Sequence, residues 1–292
     1  MTTATTPANK VQLTAVQMTS QPQPLDNLAV IEQLLEQIPP ARPQLVVLPE
    51  ACLCFGAGDK FQREIAELHG QGDLQQRLAE LAQQHGIYLL AGTMPIIDSR
   101  EATKFSAASL LFGPDGSELA RYNKIHLFDV DVADSTRQYR ESNWTQAGSE
   151  VVTVATEFGV LGLAVCYDVR FPELFRALRT AGADVITLPS AFTQVTGAAH
   201  WHVLTRARAI EQQCAVVAAA QVGTHANGRA TFGHALIIDA WGRVLDECEG
   251  ATGQPQQPCL ATAAVELSQQ AEIRQNIPVA EHFARSKKVI HE

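Results

Sequence analysis

Three residues of the chain have side chains that could do chemistry together: the carboxylate Glu50, the amine Lys124 and the thiol Cys166. Glu50 and Cys166 each follow or end an apolar run of strand length, and Lys124 lies beyond a Gly-Pro-Asp-Gly turn. Because reactive groups in α/β sheets collect at the carboxyl ends of strands, the carboxylate, the amine and the thiol can converge from distant segments. Together they offer a nucleophile, a group for proton transfer and a fixed positive charge.

The segment that follows Cys166 favours a reactive thiol at this position. Tyr167–Glu173 follows the apolar run and contains a proline at the start of a predicted helix. A thiol at such a strand-to-helix turn lies near amide groups that stabilise a thiolate or an oxyanion. Each residue taken alone has a structural alternative: a buried core thiol at Cys166, a solvated loop carboxylate at Glu50 or a surface lysine at Lys124.

The elements that must position these side chains alternate between strands and helices. The strand-length apolar runs are Val11–Gln17, Gln44–Leu48, Ile87–Gly92, Ser109–Phe112, Leu161–Cys166, Asp184–Leu188, Ala215–Gln221 and His234–Asp239. The helical patterns cover Leu25–Ile38, Asp73–Gln84, Pro172–Thr180 and Ala198–Gln213. This alternation predicts an α/β fold, with a more antiparallel middle part around the turn Gly113–Gly116.

Two segments of the chain resemble each other. Gln44–Ala51 reads QLVVLPEA and Asp184–Ala191 reads DVITLPSA. Two similar half-sheets that face each other would produce this similarity, and coincidence in a chain rich in Val, Leu and Pro is the alternative. Because no linker, low-complexity stretch or charge block divides the chain, we expect a single domain.

Composition excludes several classes of protein. The 292 residues include 31 acidic and 22 basic side chains, which gives a net charge of −9. This charge without basic runs disfavours nucleic acid as a partner, and no apolar run of about 18 residues predicts a membrane span. The first ten residues, 1–10, have no features of a secretory signal. Because a chain this long buries a large core without disulfides, we expect its six cysteines to be free thiols in a reducing cytoplasm.

Three segments resemble the signature blocks of the carbon–nitrogen hydrolase (nitrilase) superfamily: Leu45–Ala51 (LVVLPEA), Arg121–Asp129 (RYNKIHLFD) and Gly162–Leu174 (GLAVCYDVRFPEL). The resemblance extends from Val11 to about Phe283. It implies a single-domain, four-layer αββα sandwich and a homodimer or higher homo-oligomer, with the helix Pro172–Thr180 as one candidate contact. On this basis we expect a flexible extension over 1–10, the hydrolase domain over 11–265 and a C-terminal arm over 266–292.

The resemblance also implies a role for each reactive residue. Cys166 is expected to form a thioester, Glu50 to act as the general base, and Lys124 to stabilise the oxyanion together with the Tyr167 amide. Glu141 matches a second glutamate of the family and is expected to hold Lys124 or the substrate amide, with a plain loop carboxylate as the alternative.

Three further residues are candidate substrate contacts. By resemblance, Arg170 would bind a substrate carboxylate, for which the planar guanidinium is well suited. Its alternative is an ion pair at the helix start with Glu173 or Asp168. Tyr167 and Thr196 are weaker candidates that have structural roles as alternatives.

The segment Ser190–Val244 resembles the deaminated-glutathione amidases in particular, through Ala218–Gln221, Gly223 and His225. We therefore expect an amidase that converts deaminated glutathione to 2-oxoglutarate and cysteinylglycine. The alternatives are an omega-amidase acting on 2-oxoglutaramate, a nitrilase or carbamoylase, and a catalytically silent binding protein with the same fold.

The proposed chemistry requires no cofactor or metal, and two short motifs do not change this expectation. Cys52 and Cys54 are spaced too tightly for the usual zinc pair, and no second pair accompanies them. His200 and His202 are two positions apart on a predicted helix, so their side chains point in different directions. The expected partner is a small-molecule amide substrate alone.

Overall fold

The computed structural model describes residues 9–134, 136–251 and 257–290, with side chains up to residue 285. Most of the predicted extension over 1–10 lies outside these ranges. The α-helices within them are α1 (Pro24–Glu36), α2 (Asp59–Glu64), α3 (Asp73–His85), α4 (Pro172–Thr180), α5 (Gln194–Gln212), α6 (Leu267–Asn276) and α7 (Val279–Ile290). None of these described helices combines the length and the apolar character needed to cross a membrane.

The strands of the same ranges are β1 (Lys10–Met18), β2 (Gln44–Val47), β3 (Glu67–Leu68), β4 (Tyr88–Ile97), β5 (Ser106–Phe112), β6 (Glu118–Asn123), β7 (Asp129–Asp131), β8 (Gln138–Arg140), β9 (Thr153–Thr156), β10 (Gly159–Leu163), β11 (Val185–Thr187), β12 (Ala215–Ala218), β13 (Ala220–Thr224), β14 (Ala230–Phe232), β15 (Leu236–Ile238), β16 (Val244–Glu247) and β17 (Cys259–Glu266).

Two large sheets organise these strands. The first has the order β14-β13-β1-β2-β4-β5-β6, with β17 paired to β1 and β3 paired to β4. The second has the order β16-β15-β12-β11-β10-β9, and β7 and β8 form a separate hairpin. At the centre of each sheet the strands are parallel, as in the pairs β1–β2 and β10–β11, and the edges are antiparallel.

The helices cover the outer faces of the two sheets, and this arrangement gives the four layers. Leu28 of α1 and Leu78 of α3 belong to one buried cluster with Val46 of β2. Leu45, also of β2, belongs to a second cluster that includes Val185 of β11 and buried residues of α4 and α5. Since neighbouring residues of β2 are buried on opposite faces, this strand reads as a continuous apolar run. The predicted αββα sandwich is therefore confirmed.

The two similar Leu-Pro segments contribute β2 to the first sheet and β11 to the second. Two other predicted strands are interrupted. Leu161–Cys166 ends as a strand at Leu163, and Cys166 begins a 3-10 turn. Ala215–Gln221 divides at Ala219 into β12 and β13, which belong to different sheets, so the chain crosses between the sheets there. Helix α5 begins earlier than predicted because the Thr193 side chain caps its first turn.

The expectation that all six cysteines are free is wrong for two of them. Cys248, which follows β16, and Cys259, which begins β17, form a disulfide with their Cα atoms 6.0 Å apart. The Thr262 amide donates a hydrogen bond of 2.6 Å to Asp246, which helps to bring these segments together. The free cysteines of the described ranges, all buried, are Cys52, Cys54, Cys166 and Cys214.

The first half of the predicted C-terminal arm is bound to the same chain. Arg274 of α6 donates to Asp184 Oδ1 at 2.7 Å and to the Gln213 carbonyl. In α7, Phe283 lies under the guanidinium of Arg176, 4.8 Å from ring centroid to Cζ. The apolar residues of α4 face the core of their own chain. An intermolecular contact through α4 or the arm remains a prediction.

Candidate active site

Three loops bring the reactive residues together. Glu50 lies three residues after β2, Lys124 directly follows β6, and Cys166 opens the 3-10 turn after β10. Backbone hydrogen bonds fix the Lys124 position, because its N–H donates to Ala107 O at 3.1 Å and its carbonyl accepts from Gly148 N at 2.9 Å. The first sheet therefore supplies the carboxylate and the amine, and the second sheet supplies the thiol.

Lys124 is buried between two carboxylates. Its side chain is 2% exposed, and its Nζ lies 2.7 Å from Glu50 Oε1. Glu141 Oε1 and Oε2 lie 3.1 and 2.8 Å from the same Nζ. Glu141 is itself oriented by the Phe128 N–H, which donates to its Oε2 at 2.6 Å. Glu50, Lys124 and Glu141 are thus in direct contact, and Cys166 lines the same cavity.

Cys166 occupies a constrained position next to Glu50. Its backbone has φ = +46°, a left-handed conformation that is unfavourable for residues other than glycine. Residues in such conformations are often found at functional sites. The Cys166 N–H donates to Pro189 O at 2.9 Å, which fixes the turn. Cys166 and Glu50 line the same cavity, and the charge of Glu50 acts on the thiol. Glu50 is therefore the carboxylate that can accept the thiol proton.

The electrostatics of the group follow from burial and mutual charge. Burial disfavours a charged Lys124, but the carboxylates of Glu141 and Glu50 outweigh it and hold the pKa of Lys124 well above its usual value. Burial raises the pKa of Glu141. Burial, reinforced by the charge of Glu50, raises the pKa of the Cys166 thiol well above 9. The lysine is therefore a fixed cation, and the thiol needs a base before it can attack.

Asp168 links the segments that carry Lys124 and Cys166, and sequence reasoning missed this role. The fully buried carboxylate accepts from Val165 N at 2.8 Å and from Tyr122 Oη at 2.7 Å. It also accepts from the backbone N–H and the Nδ1 of His126, at 3.1 and 2.6 Å. Val165 precedes the thiol and His126 follows the lysine by two residues, so one carboxylate sets their relative position.

Gln221 performs a similar function for Glu50. Its buried amide donates to the Glu50 carbonyl at 3.0 Å and to Ser20 Oγ at 2.6 Å. Gln221 belongs to the Ala218–Gln221 segment that carries the resemblance, but the sequence gives no sign of this contact, which spans 171 residues.

A cavity of about 260 Å³ opens onto the reactive group. Glu50, Lys124, Glu141 and Cys166 line it, and so do the predicted contacts Tyr167 and Thr196. Thr196 lies in the first turn of α5, where Thr193 Oγ1 is 2.9 Å from its Oγ1.

Arg170 does not line this cavity. Its guanidinium carbon lies 5.8 Å from the Tyr167 ring and 5.3 Å from the Phe192 ring, and both rings do line the cavity. The Arg170 Nη1 also contacts His200 Nδ1 at 3.3 Å. The guanidinium is therefore near two lining rings without lining the cavity itself. Neither of the predicted partners Glu173 and Asp168 holds it in the described hydrogen bonds.

Arg229 is a cationic lining residue that sequence reasoning missed. Its guanidinium lies between the rings of Phe55 and Tyr139, 4.9 Å from each centroid. One nitrogen, Nη2, donates to Ala191 O at 2.9 Å, whereas Nε is buried without a partner in the structure. No motif marks Arg229, because it lies in a loop between β13 and β14 and reaches the cavity only through the fold.

Known proteins share this fold and much of this sequence. A family model described as carbon-nitrogen hydrolase matches residues 12–275. The chain is 44% identical over 257 residues to a Yersinia enterocolitica protein named deaminated glutathione amidase, covering 88% of this chain and 87% of that protein.

Two solved structures resemble it over nearly its full length. The Caenorhabditis elegans NitFhit protein superimposes with a TM-score of 0.84 at 35% identity. That alignment covers 94% of this chain but only 65% of the NitFhit chain. Saccharomyces cerevisiae Nit3, described as a member of branch 10 of the nitrilase superfamily, superimposes with a TM-score of 0.80 at 28% identity, covering 94% of this chain and 96% of Nit3.

Proposed function

Because this chain belongs to the carbon–nitrogen hydrolase family and is a hydrolase of amide C–N bonds, we propose that its substrate is deaminated glutathione and that Cys166, Glu50 and Lys124 catalyse the reaction. The observation that carries the assignment of these residues is the contact of Lys124 Nζ with both Glu50 and Glu141 beside the buried thiol. The products are 2-oxoglutarate and cysteinylglycine.

In the first half of the reaction, the Cys166 thiol transfers its proton to Glu50 as sulfur attacks the amide carbon. The Lys124 ammonium and the Tyr167 amide stabilise the oxyanion that forms, and each fixed donor of this kind contributes about 3 kcal/mol. Collapse of the tetrahedral intermediate breaks the C–N bond. Glu50 gives its proton to the departing amine, which leaves a thioester on Cys166.

In the second half, Glu50 takes a proton from a water molecule, which attacks the thioester carbon. The C–S bond breaks, the thiol regains a proton and 2-oxoglutarate leaves. Glu141 keeps Lys124 in place throughout, because two of the three carboxylate contacts of its Nζ come from Glu141. Glu141 therefore acts as a positioning residue.

Recognition of the substrate requires two cationic groups, since deaminated glutathione has a carboxylate at each end. We assign the 2-oxo acid end to Arg170, assisted by Tyr167 and Thr196, which requires the guanidinium to turn past the rings that it now contacts. We assign the carboxylate of the leaving peptide to Arg229, whose Nε is buried without a partner. A buried donor of this kind gains most from an anionic ligand.

A comparison of two amides, each assayed separately, tests the proposed substrate. The purified protein is incubated with deaminated glutathione and, separately, with 2-oxoglutaramate, and 2-oxoglutarate is measured by mass spectrometry. We expect the specificity constant for deaminated glutathione to be at least about tenfold higher, because only that substrate has a second carboxylate for Arg229. A higher specificity constant for 2-oxoglutaramate would assign the protein to the omega-amidases, and no product from either would overturn the substrate class.

We also propose that the enzyme is a cytoplasmic homodimer. Four buried free thiols are typical of a reducing compartment, whereas the Cys248–Cys259 disulfide counts against it. Because the large apolar side chains of α4 are buried, an interface on this helix would use its charged face. Size-exclusion chromatography with light scattering tests the dimer, and a monomeric mass would exclude it.

A further inference from the structure

A cluster of two imidazoles and one carboxylate lies apart from the proposed active site. His202, His234 and Glu247 each offer one ligand atom, and these atoms all lie within 4.8 Å of one another. His202 Nε2 is 2.8 Å from Glu247 Oε1, and His234 Nδ1 is 2.5 Å from the same oxygen. We call these three residues the imidazole–carboxylate cluster; none of them lines the catalytic cavity.

The members of the imidazole–carboxylate cluster come from three separate elements. His202 lies on α5, His234 lies between β14 and β15, and Glu247 ends β16, the edge strand of the second sheet. The sequence analysis disfavoured a metal pair formed by His200 and His202, and in the structure His200 Nδ1 lies 3.3 Å from Arg170 Nη1. His202 finds its partners only through the fold.

The backbone holds His234 in an uncommon conformation that directs its ring into the cluster. His234 has φ = +60°, and its carbonyl accepts from Trp201 Nε1 at 2.8 Å. The ring also requires a glycine at position 250, because a Cβ there would lie 2.1 Å from His234 Nε2. A left-handed non-glycine residue is a cost that persists where the surroundings require it.

The cluster has an apolar floor and a partly open face. Phe232, which is 8% exposed, contacts both imidazoles, with ring centroids 4.4 Å from His234 and 5.9 Å from His202. The side chains of His202, His234 and Glu247 are 37%, 26% and 29% exposed. Solvent can therefore reach the cluster on one side while the protein shapes the other.

We propose that the imidazole–carboxylate cluster binds a divalent cation of the Zn²⁺ class. Two imidazoles and one carboxylate are a ligand set that zinc takes with a water in the fourth position. With bonds of about 2.0–2.2 Å in a tetrahedron, ligand atoms stand about 3.3–3.6 Å apart. Each imidazole nitrogen must therefore withdraw from Glu247 Oε1 by roughly 0.5–1.1 Å. The bound ion replaces two hydrogen bonds to one oxygen and ties α5 to the edge strand β16.

Zinc titration of the Cys166→Ala protein tests the proposal, because this variant removes the thiol that would compete for metal. We expect one equivalent of Zn²⁺ in isothermal titration calorimetry and a visible absorption spectrum of tetrahedral Co²⁺. A free Zn²⁺ concentration a hundredfold above Kd should raise Tm by about 3–5 °C. Adding His202→Ala and Glu247→Gln to this background should weaken zinc binding at least about tenfold.

His69→Ala is the matched control. His69 Nε2 lies 2.8 Å from Glu118 Oε1, the same distance as in the His202–Glu247 pair, but no second histidine joins that pair among the described residues. The control should keep the zinc affinity of its parent, and circular dichroism verifies that each variant is folded. No saturable heat in the Cys166→Ala protein, or an unchanged Kd in the variant lacking His202 and Glu247, would overturn the proposal. Neither result bears on the amidase assignment.

Discussion

Replacing Asp168 with Asn tests whether this carboxylate positions the thiol relative to Lys124 in addition to stabilising the fold. The carboxylate accepts four hydrogen bonds, two at each oxygen, from Val165, Tyr122 and His126. An amide keeps one accepting oxygen and turns an NH2 group toward the other two donors, so two bonds are lost. At about 1.5–3 kcal/mol for each bond to a charged group, the expected loss of unfolding free energy is roughly 3–6 kcal/mol.

This loss leaves most molecules folded, since a domain has about 5–15 kcal/mol of stability. We expect Tm to fall by about 10 °C. We also expect kcat to fall about 10- to 100-fold at a temperature where the variant is folded, because the Val165 and His126 amides no longer fix the thiol relative to the lysine. The assays are thermal unfolding by circular dichroism and steady-state release of 2-oxoglutarate.

Ile31→Ala is the matched control for this variant. Ile31 is fully buried between α1 and the first sheet, away from the cavity, and such a truncation costs a similar 2–5 kcal/mol, roughly. It should lower Tm and leave kcat unchanged. If Asp168→Asn lowers Tm but keeps kcat within about twofold, or if both variants lose kcat equally, Asp168 has no positioning role.

Three further predictions follow from the site and its surroundings. Burial lowers the pKa of His225 from 6.5 to about 4, so the unfolded chain takes up the proton first as the pH falls. Up to about 3 kcal/mol of unfolding free energy should therefore be lost between pH 6.5 and 4. Urea unfolding at several pH values should show this loss, and His225→Gln should remove it. Glu141→Gln should reduce kcat at least about 100-fold in steady-state assays, because Lys124 loses its second counter-charge, and a value within twofold of the unmodified enzyme would refute this role. Arg170→Ala should raise KM for both deaminated glutathione and 2-oxoglutaramate, whereas Arg229→Ala should raise KM about tenfold for deaminated glutathione alone; an equal effect of Arg229→Ala on both substrates would contradict its assignment to the leaving peptide.

The sequence was sufficient for the layers of the fold and for the position of the thiol. Apolar runs such as Leu45–Leu48, alternating with helical patterns, predicted the α/β class, and the resemblance to the family implied the four layers. The boundary at Ala219 could not be predicted, since the same apolar run serves two sheets and only the tertiary structure divides it. The Cys248–Cys259 disulfide was missed because chain length argues against disulfides in general but says nothing about two strand ends that meet.

The supporting residues of the site could not be identified from the sequence, for a different reason. Asp168 was considered only as an ion-pair partner of Arg170, because a buried carboxylate reveals its donors only when distant segments are folded together. Arg229 lies in a polar loop whose residues resemble those of any surface turn. Short-range patterns find the groups that react, whereas contacts over 40 to 170 residues hold those groups in place.

In the proposed reaction, the acyl group of the amide substrate is transferred to the sulfur of Cys166 as the amine leaves. Rapid mixing of the enzyme with deaminated glutathione, followed by acid quenching and intact-mass measurement, tests this most directly. We predict a mass increase equal to one 2-oxoglutaryl group, located on the peptide that contains Cys166, and neither adduct nor product with Cys166→Ala. Release of 2-oxoglutarate by Cys166→Ala at the rate of the unmodified enzyme would contradict the account.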